Sequence, residues 1–503
     1  MQSSAILVID AGTSALRCHL FDPSGSIVSS TSNPWVFAPE PDAPELAKSL
    51  DPPSVWRGIC GAVERCLQGR AVAAVAVTSQ RQALAFLDHD GQEIYLGPNV
   101  DLRAVFEGSE LDDEHGHRIY QVTGHAPSFM MTAGKLRWFQ LHRPDAYARI
   151  ATVFSMADWL SWKLSGSISA ERTLAAESGL LDLRSRDWAT ELYQELGLAP
   201  NSIKGPIRLV NAGDVVGEVS AESAAQTGLA PGVPIVAAGA DTQCGLVGLG
   251  VDGNGQTGVV AGWSAPVQMV TSEPIISSQG ATWAGLYHAS DKWVLESSAG
   301  DMGNAYRWLK DATMGGGDEA FGEMDELAAS APLGSGGATT FLGPWRMDVS
   351  RLGMRQGGML FPVPLTLGGY GGDFGRPHLI RAALEGFAFA LRANVEQLEE
   401  VTGQRHGTIA VGGGMTRSSA FVRILVDVLG VPIRLGTDPR STAVGAALCA
   451  RLALDEYSSL SQAITSLKPH VDTIEPDPLN ASEYADLYGA WLEAGDDLSR
   501  MPI

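Results

Sequence analysis

The chain has no long apolar run. No stretch approaches the ~20 residues that a membrane-crossing helix needs, so no membrane insertion is expected. Cysteine is scarce: Cys18, Cys60, Cys66, Cys244 and Cys449 are scattered over 503 residues, odd in number and without a CxxC pair. That excludes a disulfide scaffold and a cysteine-held metal, and it fits reduced thiols in a cytoplasmic protein. Positive charge is short as well, with 35 Lys and Arg against 57 Asp and Glu, a net charge of -22. Such a surface repels nucleic acid and anionic membranes, so neither is expected as a partner. An anionic substrate would need a local positive site or a metal. No secretion signal is expected, because the first apolar run lacks a basic flank and Asp10 interrupts it.

What is present reads as an α/β chain. A length of 503 residues exceeds what one core holds, so two large domains are expected. Residues 1–247 and 248–503 are the expected halves. Ala71 to Gln80 reads as a buried strand, and Ala83 to Leu96 as a hairpin turning at Asp90-Gly91. Lys135 to Tyr147 and Ala157 to Gly166 look helical, with Gly166 as a stop. Trp138, Trp159 and Trp162 fit the core better than a sugar platform. Residues 313–337 read as surface loop with a short helix. Leu367 to Pro377 is a glycine-rich loop, and a long helix should follow it, with Pro377 in its first turn and Gly403 at its end. The strand Ile409 to Gly414, a capped helix from Ser418 to Gly430 and a small-residue helix from Ser441 to Leu454 complete the alternation.

Three glycine-bearing turns on strand ends carry the chemistry: Asp10 to Ser14, Gly239 to Gly245, and Gly412 to Gly414. Gly12 lets a backbone come close to a ligand, and Thr13 and Ser14 add hydroxyls, as a phosphate cradle needs. Two aspartate turns from two halves of a chain suit phosphoryl transfer, in which one carboxylate faces a metal and the other takes a proton.

With these residues the chain resembles the FGGY carbohydrate kinase family, which includes glycerol kinase, xylulokinase and autoinducer-2 kinase. The resemblance covers nearly the whole chain. Val8 to Asp22 is similar to the first phosphate motif and Ala237 to Gly250 to the second. Arg381 to Arg392, Val411 to Ile433 and Thr442 to Ala450 are similar to the C-terminal signatures. The resemblance implies two actin/ribonuclease-H-like domains flanking a deep cleft for ATP and sugar. It implies Asp241 as the catalytic base and Asp10, with Asp241, facing Mg²⁺. Gly12, Thr13, Ser14, Gly262, Trp263, Gly413, Gly414 and Ser418 would border the nucleotide. Arg81, Gln82, Met130 (or Phe129) and Thr242 would line the acceptor, with Gln243 beside them. Arg81 brings five fixed donors, and Gln82 both donates and accepts, as a polyol demands. Asp101 and Arg103 are read either as substrate contacts or as a structural ion pair. Family habit points to a homodimer.

Three departures stand out. Trp263 occupies a turn position where the family commonly has threonine. Gly343 to Met347 replaces a Gly-Glu-Arg element. Arg440 stands where a glutamate is usual. The reading is an ATP- and Mg²⁺-dependent kinase acting on a small sugar or polyol (a ketopentose, a tetritol or a glycerol-like compound). The alternatives are an autoinducer-2-type kinase, a non-catalytic sugar or nucleotide sensor on the same scaffold, and an actin- or chaperone-like ATPase.

Overall fold

A computed structural model describes residues 5–40, 45–198, 207–349, 356–362, 374–436, 438–466 and 471–501. The chain forms two compact units. The first holds Met1–Asn254, Val270–Leu295 and Thr442–Lys468, and the second holds Gly255–Met269, Glu296–Ser441 and Pro469–Ile503. A single cut at 247/248 therefore does not trace the units, because the chain returns to the first unit twice.

The first unit is built on a six-stranded sheet. Its strands are β1 (Ile6–Ala11), β2 (Ala15–Phe21), β3 (Ile27–Pro34), β4 (Ala74–Ser79), β7 (Val215–Glu218) and β8 (Pro234–Ala240). The hairpin β5 (Leu84–Leu87) and β6 (Glu93–Gly97) belongs to a separate small sheet and turns through Gly91 at φ 77°. The six strands lie in the order β7-β8-β4-β1-β2-β3. β1, β4 and β8 run parallel at the centre, while β2, β3 and β7 are antiparallel to their neighbours.

Both faces of this sheet are covered, which is why its central strands read as unbroken apolar runs. Leu7, Ile9, Val75, Val77 and Ile235 pack with Trp159, Leu160 and Leu164 of helix α3 (Met156–Ser165). Ile6, Val8, Ala74, Ala76 and Val236 face the other way, against Ala443, Ala446 and Ala450. At the sheet's edge, β3 alternates half-buried and exposed residues, as an edge strand with one wet face should.

Upstream of α3, Lys135 to Tyr147 divides into α1 (Thr132–His142) and α2 (Pro144–Arg149). Pro144 opens the second helix and disfavours helical backbone at Arg143, which sits at φ -137°. Trp159 is fully buried and Trp138 nearly so, and Trp162 packs against the core from partly exposed surface, in keeping with their reading as core residues. All five cysteines are buried and free.

The second unit repeats the strand logic of the first. β9 (Thr257–Val260), β10 (Pro266–Thr271), β11 (Ile409–Gly412), β12 (Ile433–Gly436) and β13 (Val471–Ile474) lie in the order β10-β9-β11-β12-β13. Again three strands run parallel between antiparallel neighbours. The long helix Arg376–Thr402 takes Pro377 in its first turn and ends at Gly403 in the left-handed conformation. The preceding residues 367–373 lie outside the described residues. Among the described residues, no helix is long and apolar enough to cross a membrane.

Candidate active site

The parallel centre of the first sheet brings three strand ends to one edge. Asp10 registers with Thr78, and Thr78 with Gly239; Ala11, Ser79 and Ala240 form the next row. Strands lie ~4.8 Å apart, so Asp10 and the end of β8 are separated by about 10 Å, two strands over. The carboxyl ends of parallel strands are where α/β sheets present ligand-binding groups.

Asp241 is the first residue of helix α4 (Asp241–Gly248). The segment read as a glycine turn is thus a strand end that passes directly into a helix. Gly239 makes the passage at φ +88°, and a Cβ there would come within 2.7 Å of Thr173 Oγ1. The passage is pinned from below. Thr78 Oγ1 donates to Gly239 O at 2.7 Å, and Ala240 N donates to Thr173 Oγ1 at 2.9 Å. Burial pushes the Asp241 carboxyl up, and the nearby Asp10 adds to this, to about 7 against the pull of Arg81.

The turn Gly12–Ser14 links β1 and β2. Its carbonyl at Gly12 accepts from Trp35 Nε1 at 2.7 Å, Asn99 Nδ2 donates to Thr13 Oγ1 at 3.1 Å, and Arg17 donates to Ser14 Oγ at 3.0 Å. Arg17, which the sequence did not single out, registers directly across from Asp10. Burial pushes the Asp10 carboxyl up to about 6 against Arg17. Asp10 Oδ1 is buried without a hydrogen-bond partner. A hard, orphaned oxygen of this kind suits a divalent cation. Among the described residues no group of three His, Cys, Asp or Glu could hold a metal alone, so a cation here would complete its shell from phosphate oxygens and water.

Arg81 and Gln82 follow β4 at the same sheet edge. Both are organised by a residue the sequence reading did not single out, Glu177. It closes the short helix Arg172–Glu177 and is almost fully buried. Arg81 pairs with Glu177 Oε2 at 3.0 Å, and Gln82 Nε2 donates to the Glu177 carbonyl at 2.9 Å. His125 Nε2 lies 3.1 Å from Oε2, and Gln243 Nε2 donates to Oε1 at 2.7 Å. Thr242 Oγ1 donates to Gln243 Oε1 at 2.6 Å, which ties the network to the residue beside Asp241. Burial pushes the Glu177 carboxyl up, but Arg81 and His125 outweigh it and hold it at about 2.

Asp101 and Arg103 do form an ion pair, with Nε to Oδ2 at 2.7 Å and both residues buried. Tyr95 donates to Asp101 Oδ2 at 2.6 Å, Lys135 Nζ donates to the Asp101 carbonyl, and the Arg103 guanidinium stacks 4.9 Å from the Trp138 ring. Phe129 is buried and Met130 half-buried on a 3-10 turn, Ser128–Met130.

In the second unit, Gly262 and Trp263 form a tight turn that meets the Gly413 loop. Gly262 N donates to Ser264 O at 2.9 Å, Ala261 N to Gly412 O at 2.7 Å, and Met415 N to Ala261 O at 3.0 Å. Trp263 is half-buried. Ser418 caps helix Ser419–Leu429, accepting from Phe421 N at 3.0 Å, and its hydroxyl donates to Asp325. Arg440 is bound by Asp438 through Nε at 2.8 Å and Nη2 at 2.7 Å, so its charge is met locally. Trp345, in the departing Gly343–Met347 segment, packs against Trp491 at 4.3 Å between ring centres.

Residues 5–248 match the N-terminal domain of the FGGY family of carbohydrate kinases, and residues 258–454 match its C-terminal domain. The chain is 29% identical over 476 residues to autoinducer-2 kinase from Yersinia pseudotuberculosis serotype O:3 (strain YPIII), covering 91% of this chain and 87% of the relative. Its fold superposes on gluconate kinase from Lactobacillus acidophilus with a TM-score of 0.84 at 20% identity, over 99% of this chain and 98% of the other. A xylulose kinase from Rhodospirillum rubrum gives a TM-score of 0.80 at 25% identity, over 98% and 99% of the two chains. The chain belongs to the FGGY family of carbohydrate kinases and is an ATP-dependent sugar kinase.

Proposed function

We propose that this kinase transfers the γ-phosphoryl group of ATP to a hydroxyl of a small sugar or polyol (a ketopentose, a tetritol or a glycerol-like compound), with Asp241 as general base. The observation that carries this is the shared sheet edge, at which Asp10, Arg81, Gln82 and Asp241 all stand on carboxyl ends of adjacent parallel strands or just beyond them. Asp241 accepts the proton of the attacking hydroxyl. Arg81 and Gln82 orient the acceptor, and Thr242 lines it beside the base. The Gly12–Ser14 turn and Arg17 face the transferring phosphate. Gly262, Trp263, Gly413 and Gly414 line the nucleotide.

Asp10, with Asp241 close by, would hold Mg²⁺ together with phosphate oxygens. Bound there, the ion supplies charge neutralisation for the phosphates. The second reading, an autoinducer-2-type kinase, is favoured by the 29% identical relative.

One panel tests both. ADP release is measured with Mg-ATP against polyols, ketopentoses, ketotetroses and dihydroxypentanedione, with Asp241→Asn beside the wild type. Turnover with a polyol or ketose that falls by ~10²–10⁴ in Asp241→Asn, with ATP binding retained, is the expected result. Turnover with dihydroxypentanedione alone selects the second reading. Full turnover in the variant removes Asp241 as the base.

A further inference from the structure

The Glu177 network bears on which acceptors the site admits. A guanidinium at a sugar site can serve two kinds of ligand: it donates to neutral hydroxyls, or it pairs with the carboxylate of a sugar acid. Which one it serves depends on whether its charge is already met. Here it is met from within the fold. Arg81 lies 3.0 Å from Glu177 Oε2, and both side chains are buried, where screening by water is weak.

Glu177 is fixed in that place from several sides. Gln243 holds Oε1 at 2.7 Å, and His125, itself fully buried, holds Oε2 at 3.1 Å. Gly285 leaves the space for it, since a Cβ there would collide with Glu177 Oε1. The same residue also orients two neighbouring amides: Gln82 through its carbonyl and Gln243 through its carboxylate.

We infer that the acceptor site selects neutral polyols or ketoses against aldonates, and that Glu177 is the positioning residue that sets this selection by neutralising Arg81. The inference rests on the proposed role of Arg81 and Gln82 as acceptor contacts. An aldonate carboxylate brought to Arg81 meets Glu177 on the same guanidinium and Asp241 and Asp10 along the sheet edge. Like charges brought together in that way oppose binding. A hydroxyl meets no such opposition. It accepts from Arg81 and both donates to and accepts from the Gln82 amide.

The test measures kcat/KM for neutral acceptors and for aldonates of matched carbon number, in the wild type and in Glu177→Gln. The wild type should favour the best neutral acceptor by ~100-fold or more over its aldonate. Glu177→Gln keeps the shape and loses the charge, and should narrow that ratio at least tenfold. A merely structural role would lower both rates together and leave the ratio unchanged. A wild-type enzyme that uses aldonates as well as neutral acceptors overturns the inference, and this arm stands even where the variant does not fold. A folded Glu177→Gln with an unchanged ratio also overturns it. Absence of turnover with every acceptor, with ATP bound, overturns the proposed function and this inference with it.

Discussion

Adding one methyl group at Gly413 should damage the protein in a way that the same methyl at Gly414 does not. Gly413 sits at φ 97° and ψ 176°, a region of backbone space that is essentially confined to glycine. Holding a side-chain-bearing residue there costs ~1–3 kcal/mol. The added Cβ would also lie 2.5 Å from Ala261 O, 2.7 Å from its carbonyl carbon and 2.9 Å from its nitrogen. These are backbone atoms of the neighbouring turn, so no rotamer relieves the clash. Overpacking of this kind adds ~1–3 kcal/mol. Gly413→Ala should therefore lose about 2–6 kcal/mol, a large part of the stability of an ordinary domain. The displaced turn is the one that carries Gly262 and Trp263, so ATP affinity should fall with stability. Gly414 has nothing within 4 Å of its Cβ position. Gly414→Ala should melt within about a degree of the wild type. Thermal melts with and without Mg-ATP decide the matter. Equal melting temperatures for the two variants would refute the reasoning, because they would mean that the contact between the 261–264 turn and the Gly413 loop is not as tight as described.

Two further outcomes follow from buried charge. Asp101→Asn removes the carboxylate from Arg103 and Lys135 and should cost ~3–5 kcal/mol in a urea or thermal melt while leaving the acceptor KM of the folded fraction unchanged; a raised KM without a stability loss would make Asp101 a substrate contact instead. Arg81 and His125 hold the Glu177 carboxyl below the ordinary carboxylate range, so the stability it contributes is present above that range and is lost as pH falls below it; the stability gap between wild type and Glu177→Gln should narrow on going from pH 5 to pH 3.

Much of the fold was legible because it obeys local rules. Gly166, Gly403 and Gly430 each end a helix in the left-handed conformation, and Ser418 caps the helix it precedes. The central strands announced themselves as apolar runs because helices cover both faces of their sheet. Where a local rule was overlooked, the reading slipped: the single helical pattern over Lys135–Tyr147 ignored what Pro144 does to Arg143. The two returns of the chain to its first unit had no local signature. The helix from Ser441 to Ala453 packs on the first sheet because Ala443, Ala446 and Ala450 are small enough to lie flat on Ile6, Val8 and Ala76, and smallness names no partner.

The same division runs through the site. Asp10, Asp241 and the Gly12–Ser14 turn stood out because phosphate chemistry demands particular residue types next to strand ends, and the structure does place them there. Arg17 was within reach, since β2 alternates buried apolar residues with polar ones and the turn before it is two-sided. Glu177 was not. It lies in AAESGLLDL, a stretch whose composition is that of an ordinary helix end, and its partners Arg81, His125 and Gln243 are 96, 52 and 66 residues away. A carboxylate in such a segment ordinarily points to water. What turns it inward is the absence of a side chain at Gly285 and the presence of a guanidinium to meet its charge, and both are supplied by other parts of the chain. The residues proposed to react carry local signatures in their own neighbourhoods. Glu177, proposed to set what reaches them, is placed by long-range packing, and no local signature points to it.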